Sequence, residues 1–319
     1  KTNHDMLQHL VILLDDTSVS YCHYENRKTE RKPMPIEVLR SGIRYAMKQN
    51  LTIQFVYPTY ELPAEYHAEV ETIDHNKLKG AASAKGADVI TFDTFADFEE
   101  YDFPNSGERI FVLHTDKQAL FANSDKISKK LVQIHRLNIV LNDVETFSDA
   151  DFDNYKSALA SLSSVLKLEY GKGRMPQLNL LTDRLQQEKM NNCNAGIENI
   201  TLAPNGKFYI CPAFYLENEA DSVGNLAEGL DIKNRQLLKL EYAPLCRKCD
   251  AYQCKRCVWL NRKTTMEMNT PSHEQCVMAH LERNASRDLL QDEKISHLFN
   301  GKEIKQIDYL DPFDVREDK

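Results

Sequence analysis

The sequence predicts an α/β protein whose last third carries a cysteine-rich metal-binding module. Short apolar runs recur between residues 9 and 181, and amphipathic segments separate them. Strands that alternate with helices in this way indicate a parallel sheet with right-handed crossovers. A third observation concerns the cysteines, because seven of the eight lie between Cys193 and Cys276.

Six apolar runs have the length of strands that are buried in a parallel sheet. They lie at residues 9–14, 51–57, 88–92, 109–113, 137–141 and 176–181. Helices are predicted between them at 35–50, 64–73, 127–134 and 149–170. In the first of these, Ile36, Leu39, Ile43 and Met47 recur at spacings of three and four and share one face. Six such units fit either an open doubly wound sheet or a partial barrel, and periodicity alone leaves both open.

After Met190 the pattern changes. Residues 199–210 predict a β-hairpin, since Asn205-Gly206 supplies the positive φ angles of a tight turn. The cysteine-rich stretch follows, and a terminal helix is predicted at 277–294. We therefore predict an α/β part at 1–185 and a metal-binding module at 186–319.

Charge and the lengths of the apolar runs argue against nucleic-acid-binding and membrane-spanning functions. The net charge of −8 gives no general reason to expect a nucleic-acid partner. No apolar run approaches the roughly 18–20 residues of a membrane span, and no signal peptide is recognised, so we expect a cytoplasmic protein without a membrane partner. A reducing compartment favours metal over disulfides for clustered cysteines, although disulfides pairing six of the seven are the alternative.

Two short cysteine pairs form the centre of the module. Cys246-x2-Cys249 and Cys254-x2-Cys257 each place two sulfurs toward one metal, with a bridge of four residues between the pairs. Zinc ribbons separate such pairs by roughly 15–20 residues, so the short bridge favours iron–sulfur ligation. This spacing indicates a division of the seven cysteines between two metal centres, in which Cys257 binds the same centre as two earlier cysteines rather than that of its neighbours in sequence. One centre then has Cys246, Cys249, Cys254 and Cys276, and the other has Cys193, Cys211 and Cys257.

The fourth position of the three-thiolate centre is open, or filled by water, substrate or an oxygen or nitrogen ligand. His273, three residues before Cys276, is a further candidate ligand, with an ordinary exposed histidine as the alternative. Zinc remains the alternative metal. Polar residues also follow the predicted strands, where parallel folds place their sites, although helix caps explain such residues equally well. They are Asp15, Asp16, Tyr57, Asp93, His114, Asp116, Asn142, Asp143 and Asp183.

The cysteine order resembles the SPASM domain, the C-terminal extension of many radical S-adenosylmethionine (AdoMet) enzymes that modify peptides. Gly206-x4-Cys211 and the connector at 223–226 match its pattern, whereas the last two spacings of the central run are each one residue short. The resemblance implies two auxiliary 4Fe–4S clusters with the ligand division given above. It also implies a partial (β/α)6 TIM-like barrel of radical SAM type before the module.

The segment after the first strand departs from that family. Radical SAM enzymes carry C-x3-C-x2-C there, but this chain has Asp15, Val19 and Cys22 at the three positions. The glycines expected after the second strand are also missing from residues 57–63. One thiolate cannot anchor a cluster that cleaves AdoMet, so we expect a degenerate barrel without ordinary radical SAM activity.

Over most of its length the chain resembles the CXXX-repeat peptide maturases, which have a SPASM-type tail without the radical SAM motif. Residues 9–14, 21–24 and 53–58 and the cysteine tail carry this resemblance. It implies a role in maturing a ribosomally made, cysteine-rich precursor peptide, with no catalytic residue assigned. The alternatives are a non-catalytic peptide-binding scaffold with structural metal, and an unrelated zinc-stabilised α/β enzyme with its site at the strand ends.

Overall fold

The computed structural model describes residues 7–103, 107–186, 193–249, 251, 257–304 and 310. Two compact units divide the chain. The first combines Lys1–Thr91 with Cys193–Tyr242, and the second combines Phe92–Asn192 with Ala243–Lys319. The division into 1–185 and 186–319 stays a prediction.

Strands and helices alternate through most of the described chain. The strands are β1 (His9–Leu13), β2 (Thr52–Val56), β3 (His75–Gly80), β4 (Val89–Phe92), β5 (Ile110–Thr115), β6 (Arg136–Leu141), β7 (Gln177–Leu178), β8 (Asn199–Leu202), β9 (Phe208–Tyr209), β10 (Gly224–Asn225) and β11 (Gly229–Leu230). The α-helices are α1 (Ile36–Gln49), α2 (Ala64–Val70), α3 (Phe95–Glu100), α4 (Lys117–Leu131), α5 (Asp149–Gly171), α6 (Asp183–Gln186), α7 (Pro212–Glu217), α8 (Val258–Thr265), α9 (His273–Leu289) and α10 (Glu293–Leu298).

Strand β1 lies inside the sheet of the first unit. It pairs in parallel with β2 on one side and β8 on the other, and β3 and β4 continue the parallel sheet beyond β2. Leu10 stands opposite both Ile53 and Ile200, and all three side chains are fully buried. The segment that follows Cys193 therefore completes the sheet that the first residues of the chain begin.

The predicted hairpin at 199–210 is confirmed. Strands β8 and β9 pair antiparallel, and Gly206 in the turn has a φ of +76°. The Gly206 N–H donates to the Ala203 carbonyl at 3.0 Å, which closes the turn. Because α7 begins directly after β9, the turn also sets where Cys211 and α7 lie.

Strand β3 and the two-residue strands β10 and β11 were not predicted. Strand β3 pairs in parallel with β2 and β4, yet Leu78 is its one large apolar residue. A strand with so little apolar sequence produces no recognisable run, and its position between two buried neighbours holds it in the sheet.

The second unit has its own parallel strands and a helical layer. Strand β6 pairs with β5 and with β7, and α5 packs against both α4 and α9. Helix α9 begins four residues before the predicted start at 277, because Ser272 and Gln275 form a capping box. None of the described helices combines the length and apolarity that a bilayer crossing requires.

The start of α5 makes the stability of the second unit sensitive to acid. The Asp151 carboxylate accepts hydrogen bonds from the Lys117 ammonium and from the Ser148 N–H and hydroxyl, each at 2.8 Å. These contacts lower the pKa of Asp151 from 3.8 to about 2. The ionised group therefore contributes stability above the unfolded-state pKa, and that contribution is lost as the pH falls from 3.8 to about 2.

We expect the melting temperatures of the wild type and Asp151→Asn to differ most at neutral pH and to converge through this acid window. Thermal melts followed by circular dichroism at a series of pH values measure the difference. Asp153→Asn is the matched control, since Asp153 lies exposed on the same helix. A gap between wild type and Asp151→Asn that does not change with pH would contradict the assignment.

Candidate functional site

The loop after β1 is held by the protein's own side chains. Asp15 is fully buried. Its Oδ1 accepts hydrogen bonds from the Thr17 N–H, at 2.7 Å, and the Thr17 hydroxyl, and its Oδ2 accepts from the Tyr60 hydroxyl at 2.6 Å. Burial, followed by the hydrogen bond to Asp15, raises the pKa of Tyr60. Both carboxylate oxygens of Asp15 thus accept hydrogen bonds from the protein itself, one from Thr17 in the same loop and the other from Tyr60 after β2.

Asp16 ties the same loop to α7. The Tyr215 hydroxyl donates to Asp16 Oδ1, and the Lys28 ammonium lies 3.5 Å from Oδ2. Lys28 also pairs with Glu219 at 3.0 Å and lies 4.1 Å from the centroid of the Tyr215 ring. The Asn26 amide donates to the carbonyls of Asp16 and Ser18, each at 2.8 Å. The backbone of the loop is therefore held in one conformation.

Three of the cysteines in the first unit share one electrostatic environment. Tyr21 and Tyr24 contact each other edge to face at 5.9 Å. Burial raises the pKa of Tyr21 well above its ordinary value, and the charges of Tyr24, Cys22, Cys211 and Cys193 raise it further. Cys22 and Cys211 likewise add to the effect of burial on Tyr24. The charges of Cys22 and of the two predicted ligands Cys193 and Cys211 thus act on the same buried tyrosine, Tyr21.

The other described cysteines lie in the second unit. Cys246 and Cys276 are buried, and a 3₁₀ turn at Cys246–Lys248 joins Cys246 to Cys249. The Cys249 sulfur lies 3.2 Å from His280 Nε2 and accepts a hydrogen bond from the Ala251 N–H at 3.3 Å. Cys257 caps α8, because its sulfur accepts from the Leu260 N–H at 3.5 Å. Cys254 lies outside the described residues.

The thiol donors suit the predicted metals, although the ligand sets stay predictions. Within the described ranges, no three His, Cys, Asp or Glu side chains converge closely enough to hold a metal ion. The half-buried Cys249 thiol accepts a hydrogen bond from the Ala251 N–H, and metal-bound thiolates are commonly hydrogen-bonded in this way. Iron–sulfur clusters and zinc both take such ligands, so the residues present fit the group that the sequence predicts.

His280 is the residue that sequence reasoning missed. The sequence singled out His273, but that side chain is exposed and contacts Phe152 edge to face at 6.0 Å. His280 is 1% exposed and contacts Cys249. Its separation of four residues from Cys276 on a helix was the available signal, since side chains four apart share a face.

Two of the polar residues that follow predicted strands accept hydrogen bonds from backbone N–H groups at the start of α4. Asp116 accepts a hydrogen bond from the Ala119 N–H at 2.7 Å and caps α4, and Asp143 accepts from the Lys117 N–H at 3.1 Å. Burial raises the pKa of Asp143. His114 is buried and lies 3.1 Å from the Asn142 carboxamide oxygen. In this unit the cap interpretation therefore holds for the two acids.

Removal of the hydrogen bond between Tyr215 and Asp16 should lower the free energy of unfolding by a measurable amount. We expect Tyr215→Phe to destabilise the protein by about 1.5–3 kcal/mol, the usual contribution of a hydrogen bond to a charged group. Burial, followed by the hydrogen bond to Asp16, raises the pKa of Tyr215. Urea unfolding followed by circular dichroism measures the change.

Tyr45→Phe is the control for this substitution. Tyr45 is half-buried against Phe208, and its hydroxyl has no hydrogen-bond partner among the described residues. Its removal should change stability by no more than about 0.5 kcal/mol. Equal effects of the two substitutions would show that the Asp16 contact contributes nothing.

The fold is shared with solved structures of anSMEcpe. Hexahistidine-tagged anSMEcpe with bound AdoMet matches with a TM-score of 0.65 and 12% identity, over 92% of this chain and 96% of that one. Native anSMEcpe with bound AdoMet and Kp18Cys peptide matches with a TM-score of 0.64 and 14% identity, over 92% and 100%. The form with Cp18Cys peptide gives 0.64 and 12%, over 93% and 100%. No protein-family model and no curated protein matches the sequence.

These matches confirm the α/β, TIM-like part of the predicted fold class. The chain has an α/β fold with mostly parallel strands, which it shares with the anSMEcpe structures. The cysteine-rich metal-binding module stays a prediction. Because the identities are as low as 12–14%, the likeness concerns the fold.

Proposed function

We propose that the chain is a maturation protein for a ribosomally made, cysteine-rich peptide, and that it does not cleave AdoMet. The observation that carries the proposal is the loop after β1, where Asp15 and Asp16 are held by internal hydrogen bonds. Cys22 is the single cysteine at the three positions of the family motif. The proposal is supported by a fold shared with proteins solved with AdoMet and peptide, and by a loop that carries one cysteine where the resembled family has three.

The cysteines after residue 192 supply the second half of the proposal. Cys193, Cys211 and Cys257 would hold one metal centre, and Cys246, Cys249, Cys254 and Cys276 would hold the other. The metals would be up to two 4Fe–4S clusters, or zinc. A bound centre with an open coordination position supplies a soft acceptor for a substrate thiolate. This chemistry suits a cysteine-rich partner better than other peptides.

The second candidate is a non-catalytic scaffold that binds the peptide for a separate enzyme. The same loop favours it, because a carboxylate with both oxygens bonded internally, as in Asp15, offers little to a substrate. In this case the thiolate sites would contribute folding energy and no chemistry.

Two measurements test the proposal. Protein purified without oxygen is first incubated with AdoMet and dithionite, and we expect no 5′-deoxyadenosine. In the second measurement, the chain is co-expressed with a CXXX-repeat peptide or with a version of that peptide whose cysteines are replaced by serine, and the peptide masses are compared. A mass change confined to the cysteine peptide supports maturation, and binding without a mass change supports the scaffold. Formation of 5′-deoxyadenosine, or equal treatment of both peptides, overturns the proposal.

A further inference from the structure

His280 lies on the helix that also carries one of the predicted ligands. Cys276 and His280 are four residues apart on α9, which places both side chains on one face of the helix. Cys276 is 7% exposed and His280 is 1% exposed, so this face is buried. Water therefore does not compete for the polar atoms of the imidazole.

The contact partner of His280 is a second predicted ligand. Its Nε2 lies 3.2 Å from the Cys249 sulfur, which also accepts the Ala251 N–H at 3.3 Å. In a metal centre Cys249 would be a thiolate without a proton to donate, so the imidazole would carry its hydrogen on Nε2. Two N–H groups would then point at one sulfur, one from the backbone and one from a buried side chain.

From this geometry we infer that His280 is a positioning residue for the Cys249 thiolate in the metal centre proposed for that cysteine. The inference rests on the metal centre of the proposed function. The imidazole donates to the sulfur, fixes its direction and offsets part of its negative charge. It is not itself a ligand. Hydrogen bonds of this kind also tune the reduction potential of iron–sulfur clusters.

The test uses the full chain with Cys193→Ser and Cys211→Ser, so that the other predicted centre does not contribute. Two variants are made in this background. His280→Leu removes the donor, and His280→Gln keeps a side-chain N–H. His273→Gln is the matched control, because His273 lies exposed on the same helix. Affinity for Co²⁺ is measured by chelator competition, and the visible spectrum of the bound Co²⁺ is recorded.

We expect His280→Leu to weaken Co²⁺ binding by about 10–100-fold, as loss of a hydrogen-bonding partner of a ligand usually does. His280→Gln should recover part of the affinity, which a purely structural role of the ring would not allow. The spectrum should be that of four thiolates in every protein that binds.

Three outcomes overturn the inference. Unchanged affinity in His280→Leu means that the contact does not act on the metal. A wild-type spectrum of mixed sulfur and nitrogen ligation that changes in both His280 variants makes the histidine a ligand. If the parent protein binds neither Co²⁺ nor reconstituted iron, the metal centre itself fails and the inference fails with it. The first two results leave the proposed function intact, so the two failures are distinguishable.

Discussion

Replacing Glu282 by alanine is expected to destabilise the protein by about 3–5 kcal/mol, the usual cost of removing one partner of a buried ion pair. Glu282 is buried on α9, and its Oε2 accepts a hydrogen bond from Arg184 Nη2 at 3.0 Å. Its Oε1 accepts from the Tyr155 hydroxyl at 2.7 Å. Arg184 is only 1% exposed, so its charge would lose the Glu282 carboxylate without gaining water. Its Nη1 also donates to the Ser286 hydroxyl and to the Leu180 carbonyl.

Chemical denaturation followed by circular dichroism measures this cost. Asp288→Ala is the matched control, because Asp288 is exposed on the same helix and pairs with Arg287 at 3.3 Å. Removal of such a surface pair should cost no more than about 1 kcal/mol. A loss in Glu282→Ala as small as in the control would mean that the buried network does not hold α9 in place.

The fold could be predicted wherever apolar runs were continuous. The runs that became β1, β2, β5 and β6 each bury most of their residues in a parallel sheet, and such strands are readable from the sequence. The hairpin turn at Asn205 and Gly206 was readable from local turn chemistry. Strand β3 was missed because its neighbours in the sheet, rather than its own residues, hold it there.

The site was predictable only in its local spacings. Cys246 and Cys249 are three residues apart, and a short turn joins them as expected. Tyr215 and Asp16 are 199 positions apart, and Glu282 and Arg184 are 98 positions apart. No local sequence pattern predicts contacts between residues so far apart in the chain, since such contacts depend on how the helices and strands pack. His280 falls between these cases, because helical spacing related it to Cys276 but the contact with Cys249 required the fold.

Substitution of Cys246 and Cys249 together by alanine should remove one of the two predicted metal centres. Protein purified without oxygen is analysed for iron, labile sulfide and zinc per chain. If both centres hold 4Fe–4S clusters, the double variant should retain about half of the iron and sulfide of the wild type. Zinc without labile sulfide would instead select the zinc alternative for the same cysteines.

The substitution Cys22→Ser tests whether the loop after β1 contributes a metal ligand in addition to the cysteines of the predicted module. Asp15 and Val19 stand where the family has its other two cysteines, and the Asp15 carboxylate is already bonded to Thr17 and Tyr60. We therefore expect Cys22→Ser to keep the full metal content of the wild type. Loss of iron in this variant would make Cys22 a ligand. Retention of iron would confine metal binding to the cysteines from Cys193 onward.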